Sequence, residues 1–227
     1  PENGFFGVAP GTNAKSNPNA LAYESLGYVT TDVKMLKVDG VEATVANIKN
    51  GTYKISRPLQ VVYQPAKGEE ALNAAYLQFL ASKQAQDIIS EEGYVSMIDN
   101  ASSYVPDPAL EGTINISGST SLQPLMLKLA EKYKELQSKV TVTVSGGGSG
   151  TGYKDAKEGV SDFGMISEEF NDEKAPGCSH YTVAKDGIAV IVHKDNGVSN
   201  ISLETLKNIY DCEAGESAVK TWAEVEK

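Results

Sequence analysis

The 227-residue sequence has little positive charge and almost no arginine. Lysine and arginine together number 20 against 30 aspartates and glutamates, a formal net charge of -10, and Arg57 is the single arginine. Nucleic acid and anionic membrane surfaces are bound mainly through clustered cations, so this balance argues against both as the main partner. A small anion stays possible, because backbone N–H and hydroxyl dipoles can bind one without net positive charge.

Cysteine, histidine and long apolar runs are also scarce. Cys178 and Cys212 lie far apart in the sequence, so a disulfide and two unrelated thiols both remain open. His180 and His193 have no partner at metal-ligand or catalytic-triad spacing, which argues against a metal site and against a serine hydrolase. No apolar run approaches the ~18 residues of a membrane span. We therefore expect a protein that is not an enzyme and that needs no cofactor or metal.

Three short apolar strands each run into a loop of glycine and hydroxyl residues. Their sequences are Ile116-Ser-Gly-Ser-Thr-Ser-Leu, Val144-Ser-Gly-Gly-Gly-Ser-Gly-Thr-Gly152 and Asp162-Phe-Gly-Met-Ile-Ser-Glu168. The first two lead directly into a helix pattern, where unpaired backbone N–H groups stand beside hydroxyl donors. One glycine loop alone could be a flexible turn, but three such loops suggest convergence on one oxyanion.

The glycine loop matches neither of two common catalytic motifs. Tyr153 follows Gly152 where a Walker loop needs a lysine and then Ser or Thr. Ser149 has glycine two residues before it but Thr151 two residues after it, so it does not form a nucleophile elbow. Glu168 directly follows the third strand, and a carboxylate beside an oxyanion suits a ligand that carries a proton.

The periodicity of the chain predicts an α/β fold. We expect strands at residues 20–23, 33–38, 59–63, 113–117, 140–144, 162–166 and 187–193. We expect helices at 45–49, 69–80, 82–92, 121–136, 153–158 and 203–210, capped at Thr44, Ser82, Thr120 (through a capping box with Gln123) and Ser202. The alternation after residue 112 predicts parallel pairing, with ligands at the carboxyl ends of the strands. Residues 96–111 are polar and contain proline, which indicates a linker or exposed connection.

Eight segments carry a resemblance to a known family. In the second half of the chain these are Ile116-Ser-Gly-Ser-Thr-Ser, Ser-Gly-Gly-Gly-Ser-Gly-Thr-Gly152, Asp162-Phe-Gly-Met-Ile-Ser and Asp186-Gly-Ile-Ala-Val-Ile-Val. In the first half they are Asn19-Ala-Leu-Ala-Tyr-Glu-Ser-Leu-Gly-Tyr28, Val38-Asp-Gly-Val-Glu-Ala-Thr44, Ser56-Arg-Pro-Leu59 and Glu91-Glu-Gly-Tyr-Val95. The second half resembles the opening half, and the first half the closing half, of phosphate-binding proteins of ABC uptake systems. These are two-lobed, type II periplasmic-type solute-binding proteins.

This reversed order has two explanations, a circular permutant or the junction of two tandem modules. The resemblance implies a closing half at residues 1–95, a linker at 96–111 and an opening half at 112–227. Lobe 1 would combine 33–95 with 112–180, and an incomplete lobe 2 would combine 1–32 with 181–227. The family's second-lobe loop, an arginine followed by Gly-Ser-Gly-Thr, does not occur in these 227 residues.

The resemblance also implies a site and a role. The phosphate ligands would be Ser119, Thr120, Ser121, Ser149, Gly150, Thr151 and Glu168. Glu168 stands where the family commonly has an aspartate that accepts the ligand's proton, and Arg57 is expected to be structural. The protein would be extracytoplasmic, lipid-anchored in full-length form, and served by an ABC permease, with self-association or a neighbouring module completing the site. The alternative is a sensor or scaffold descendant that transports nothing.

Overall fold

The computed structural model describes residues 10–225, which form two compact units. Unit 1 comprises the described residues up to Ser56 together with those from Gly187 onward, and unit 2 comprises Arg57–Asp186. The lobe boundaries expected from the sequence differ from these, because residues 33–56 belong to unit 1 and residues 181–186 to unit 2. Among the described residues no helix is long and apolar enough to cross a membrane.

Nine helices and nine strands, besides two short 3-10 turns at Leu26–Tyr28 and Gly215–Ser217, are assigned within residues 10–225. The elements up to the middle of the chain are α1 (Pro10–Ser16), β1 (Leu21–Ser25), β2 (Val33–Met35), β3 (Lys37–Val38), α2 (Val45–Lys49), β4 (Ser56–Tyr63), α3 (Pro65–Glu69), α4 (Ala71–Leu80) and α5 (Lys83–Glu91). The later ones are β5 (Gly112–Gly118), α6 (Gln123–Leu136), β6 (Val140–Gly146), α7 (Ser149–Glu158), β7 (Phe163–Ile166), β8 (Ser179–His193), β9 (Asn200–Ile201), α8 (Leu203–Tyr210) and α9 (Trp222–Val225).

Unit 2 is built on a sheet in which β5 lies between β7 and β6. Ile116 of β5 pairs in parallel with Val144 of β6 and with Phe163 of β7, so the predicted parallel arrangement is confirmed. β4 pairs antiparallel with β7, and the first part of β8 lies on the other side of β4. The loops after β5, β6 and β7 therefore leave the sheet at one edge.

An aromatic cluster fills the core of unit 2 on one face of this sheet. Tyr76 and Phe79 of α4 are fully buried, and each packs its ring against Tyr133 of α6 with centroids 4.9 Å apart. The helical spacing of these residues predicted core packing, and the structure confirms it. The predicted helix at 69–80 is divided, because α3 ends at Glu69 and α4 begins at Ala71.

The segment 96–111, for which the composition indicated a linker or exposed connection, is exposed over most of its length but is bonded to its neighbours. The Gln86 Oε1 atom accepts hydrogen bonds from the N–H groups of Met97 and Ile98, and the Gln84 Oε1 atom accepts one from Tyr104. Tyr104 is itself buried, with its hydroxyl 3.2 Å from that of Tyr133. The segment lacks regular structure but is held against α5 within unit 2, because the side chains of Gln84 and Gln86 accept hydrogen bonds from its backbone N–H groups.

Unit 1 is formed by strands that are far apart in the sequence and pair with one another. β1 and β2 both pair antiparallel with the second part of β8, and β3 pairs in parallel with β9. A Cβ atom at Gly187 would lie 2.2 Å from the Cδ1 atom of Ile48 of α2, so a larger residue would require this buried side chain to shift. Residues 33–56 therefore pack with β8 and β9, which a reading of local patterns could not show.

Three of the four predicted helix caps are confirmed. The side chains of Thr44, Ser82 and Ser202 each accept a hydrogen bond from the backbone N–H three residues later. The predicted capping box at Thr120 is wrong. The Ser119 Oγ instead accepts from the Leu122 N–H at 3.3 Å and so caps the turn before α6, which begins at Gln123 without a side-chain cap.

Candidate functional site

Three glycines bring the end of β5, helix α7 and strand β7 of unit 2 into backbone contact. A Cβ atom at Gly118 would lie 2.4 Å from the Met165 carbonyl oxygen, and one at Gly152 would lie 2.1 Å from the same atom. A Cβ atom at Gly164 would lie 1.9 Å from the Gly152 oxygen. Any side chain at these positions would force the segments apart, so the glycines set how closely the three segments approach.

Backbone hydrogen bonds then fix the loops relative to one another. The Ser119 N–H donates to the Met165 carbonyl at 2.8 Å, and the Gly148 N–H donates to the Gly118 carbonyl at 2.9 Å. The Ser149 Oγ accepts a hydrogen bond from the Ser167 N–H at 3.1 Å. The three loops therefore lie together, while their convergence on one oxyanion stays a prediction.

Helix α7 starts inside the glycine loop, earlier than the sequence indicated. We expected a helix from Tyr153, but it begins at Ser149, because Gly147 and Gly148 adopt positive φ values of 152° and 86° and turn the chain directly into the helix. The first helical N–H groups, those of Ser149, Gly150 and Thr151, have no intrahelical acceptor. Unpaired donors of this kind, at the amino end of a 10-residue helix, are suited to an anion.

The candidate residues of the first loop fall into two groups. Ser119 is only 1% exposed, and its hydroxyl accepts from the Leu122 N–H, so it caps the turn before α6. Thr120 is exposed and Ser121 is half-buried, which leaves both hydroxyls near the surface of this edge. The geometry thus separates a positioning residue, Ser119, from two accessible donors.

The hydroxyls of the second loop are partly used within the protein. Thr151 Oγ1 donates to the Gly147 carbonyl at 2.8 Å, so its hydroxyl closes the loop. The Ser149 Oγ accepts from the Ser167 N–H and also lies 3.4 Å from the Ser167 Oγ, where either hydroxyl could be the donor. Gly150 is exposed, and a Cβ atom there would meet nothing within 4 Å, so space lies open beside it.

Glu168 directly follows Ser167, whose backbone N–H is bonded to Ser149 of α7. Its Oε1 atom lies 2.6 Å from the Nζ atom of Lys174, and Nζ lies 5.1 Å from the centre of the Tyr153 ring. The bond to Glu168 raises the pKa of the Lys174 ammonium above its usual value. In this structure the predicted proton acceptor is thus an ion-paired carboxylate.

A buried polar cluster beneath the loops was not found from the sequence. Ser117 of β5 donates to the Asp155 Oδ2 atom at 2.6 Å, and its Oγ lies 2.8 Å from that of Ser161. Asp155 belongs to α7, so the cluster fastens this helix to β5. Ser117 lies within the first motif, but nothing in the spacing marked Asp155 as its partner.

The single arginine is bound within unit 2. Arg57 Nε and Nη2 donate to the Asp186 Oδ2 atom at 3.1 and 2.9 Å, and Asp186 is 3% exposed. A guanidinium that neutralises a buried carboxylate has a structural role, as expected from the sequence. Cys178 and Cys212 are both free thiols, and the described part of the chain holds no cluster of His, Cys, Asp and Glu that could bind a metal ion.

A cavity among the described residues lies elsewhere, in unit 1. It has a volume of about 960 Å³ and is lined by residues that include Leu21, Tyr210 and Trp222. None of the predicted anion ligands lines it.

Comparison with known proteins assigns this architecture to a class. The family model of the PBP superfamily domain matches residues 105–226, more than half of the chain. A crystal structure of a phosphate-binding protein of a phosphate ABC transporter from Streptococcus pneumoniae superimposes with a TM-score of 0.85 at 33% identity. It covers 93% of this chain, and this chain covers 79% of it. The class is thus that of the periplasmic-type binding proteins.

Curated relatives narrow the class to one family. "Phosphate-binding protein PstS 2" of Streptococcus agalactiae is 38% identical over 200 residues, which are 88% of this chain and 67% of the relative. The protein of the same name from S. pneumoniae is 34% identical over 196 residues, 86% of this chain and 66% of the relative. The chain belongs to the family of phosphate-binding proteins of ABC uptake systems. It spans about two thirds of the length of these relatives.

Proposed function

We propose that this chain binds phosphate, or a similar tetrahedral oxyanion, at the loops after β5, β6 and β7. One observation carries the proposal: the open amino end of α7 presents the N–H groups of Ser149, Gly150 and Thr151 beside the Ser149 hydroxyl. Helix amino ends favour anions through both their unpaired donors and the helix dipole. The names of the relatives, which describe binding of phosphate, support this choice of ligand.

The first loop supplies further donors in this proposal. The hydroxyls of Thr120 and Ser121 lie in the turn held by Ser119, which is itself bonded to Met165 of β7. Such preorganised donors lose little entropy when an anion binds. Ser119 and Thr151 then act as positioning residues, and Thr120, Ser121, Ser149 and Gly150 contact the anion.

Glu168 determines which protonation state of the anion is accepted. A carboxylate can accept a hydrogen bond from a protonated phosphate, whereas sulfate has no proton to offer near neutral pH. Because Glu has one methylene more than Asp, its carboxylate reaches farther than that of the aspartate common in the family.

The biological setting follows from the family. The protein acts outside the cytoplasm as the solute-binding component of an ABC importer, delivers its anion to a membrane permease, and is anchored by lipid in full-length form. It performs no catalysis. Self-association or a neighbouring module supplies the donors of a second lobe.

The order of the halves fits a single permuted module better than a tandem junction. The match to the S. agalactiae protein covers 200 residues, more than either half, so that relative carries both halves in this order. Because those residues are 67% of it, the relative has about 300 residues, room for two lobes but not for two modules.

Calorimetry with phosphate and with sulfate tests the proposal. Phosphate should release heat on binding and sulfate should bind more weakly. Ser149→Leu should abolish binding, and Thr120→Val, which removes only a hydroxyl, should weaken it about tenfold. Thr113→Val, at the far end of β5, is the matched control and should bind normally. No heat with either anion would contradict the proposal and favour a sensor or scaffold without transport.

A further inference from the structure

The backbone around Glu168 is fastened to α7 on both sides. On one side the Ser167 N–H donates to the Ser149 Oγ at 3.1 Å. On the other side the Tyr153 hydroxyl donates to the Glu169 carbonyl at 3.3 Å and accepts from the Asn171 N–H at 3.0 Å. The backbone of Glu168 is therefore fixed next to the first turns of α7, and only its side chain can change direction.

The side chain of Glu168 is held by Lys174. Nζ of Lys174 lies 2.6 Å from the carboxylate, and the same ammonium lies over the ring of Tyr153, 5.1 Å from its centroid. Burial raises the pKa of the Tyr153 hydroxyl, so this ring stays neutral and can act as the platform for the cation. Lys174 thus joins the carboxylate to the same helix whose amino end carries the proposed anion site.

An unpaired carboxylate at this position would oppose anion binding in two ways. It would add a negative charge that repels the ligand. It would also be free to turn toward the open N–H groups of α7, which attract any nearby anion, including a side chain of the protein itself. The neighbouring residues Glu169, Asp172 and Glu173 are themselves acidic and could not neutralise the charge of Glu168.

We propose that Lys174 is a positioning residue of the anion site, which neutralises Glu168 and keeps its carboxylate from competing with the ligand for the amino end of α7. The inference rests on the proposed function. It assigns a role to a residue outside the three loops, and it makes the ion pair between Lys174 and Glu168 part of what sets the affinity for divalent anions.

A double-mutant cycle tests this role. Phosphate affinity is measured from the amide chemical shifts of Gly150 and Thr151 for the unmodified protein, K174Q, E168Q and the double variant. K174Q should weaken binding about three- to tenfold, the order that Coulomb's law gives for one uncompensated charge beside an anion in a water-rich setting. In the E168Q background the same change should cost less than about twofold. K174R should restore affinity.

The controls separate the possible failures. Lys132→Gln removes a lysine whose Nζ lies 2.7 Å from Glu135 on α6, and it should leave phosphate affinity unchanged. Equal losses for K174Q in both backgrounds would show a general effect of charge and overturn the inference, as would no loss in either. If the unmodified protein shows no phosphate-dependent shifts at all, the proposed function itself fails, and this outcome is distinct from the other two.

Discussion

Two glycine-to-alanine substitutions in one helix test whether α7 and β7 touch through their backbones. Gly152 and Gly150 both lie in the first turns of α7. A methyl group at Gly152 would lie 2.1 Å from the Met165 carbonyl oxygen and 2.9 Å from its carbon, whereas one at Gly150 would meet nothing within 4 Å. Both variants add one methyl group, at an exposed position in Gly150→Ala and against the Met165 backbone in Gly152→Ala.

The expected magnitudes follow from that difference. Alanine is favoured over glycine in a helix by about 1 kcal/mol, and Gly150→Ala should gain up to this amount. Gly152→Ala gains the same but must push Met165 away, and overpacking of this kind costs about 1–3 kcal/mol. The Met165 oxygen also accepts from the Ser119 N–H, so its displacement endangers a hydrogen bond of about 1 kcal/mol. The two variants should therefore differ by about 3 kcal/mol.

Urea unfolding followed by far-ultraviolet circular dichroism measures the free energies of unfolding. Gly152→Ala should unfold at clearly lower urea than the unmodified protein, and Gly150→Ala at equal or higher urea. Equal midpoints for the two variants would refute the close approach of α7 and β7, and with it the reason for glycine at this position.

Two further predictions concern Ser119 and Tyr53. Ser119→Ala should lower the free energy of unfolding by about 1 kcal/mol, because the Leu122 N–H loses its acceptor. Thr120→Ala should change the free energy of unfolding little. Similar losses for both variants would contradict the assignment of Ser119 as the cap of this turn. Burial raises the pKa of Tyr53 to about 12, so the folded state keeps this proton while the unfolded state loses it near pH 10. The free energy of unfolding should therefore fall from pH 10 to 12, and it should fall less steeply in Tyr53→Phe. Unfolding curves measured across this pH range test this, and identical slopes for the two proteins would argue against Tyr53 as a source of the decline.

Local signals in the sequence predicted the regular elements well. Caps at Thr44, Ser82 and Ser202 involve side chains that bond to backbone groups three residues away, so they can be read from a few letters. The alternation after residue 112 likewise predicted parallel strands, because each crossover helix lies between the strands that it connects. The three loops could be placed at one edge for the same reason.

What the sequence did not reveal depends on contacts between distant residues. The start of α7 at Ser149 was missed because glycines disfavour helices, while here Gly147 and Gly148 supply the positive φ values that begin one. The bond of Ser117 to Asp155 joins residues 38 positions apart, and no pattern marks it. Residues 33–56 joined unit 1 through pairing with β8 and β9, which only the fold determines.

The central claim is that the amino end of α7 binds an oxyanion, and backbone NMR tests it most directly. Inorganic phosphate is added to the isotope-labelled protein while the amide signals of Ser149, Gly150 and Thr151 are followed. These signals should move together, saturate with one affinity and respond less to sulfate, because donation of N–H groups to an anion changes their shifts. Saturating shifts confined to other residues, or no shifts at millimolar phosphate, would contradict the site.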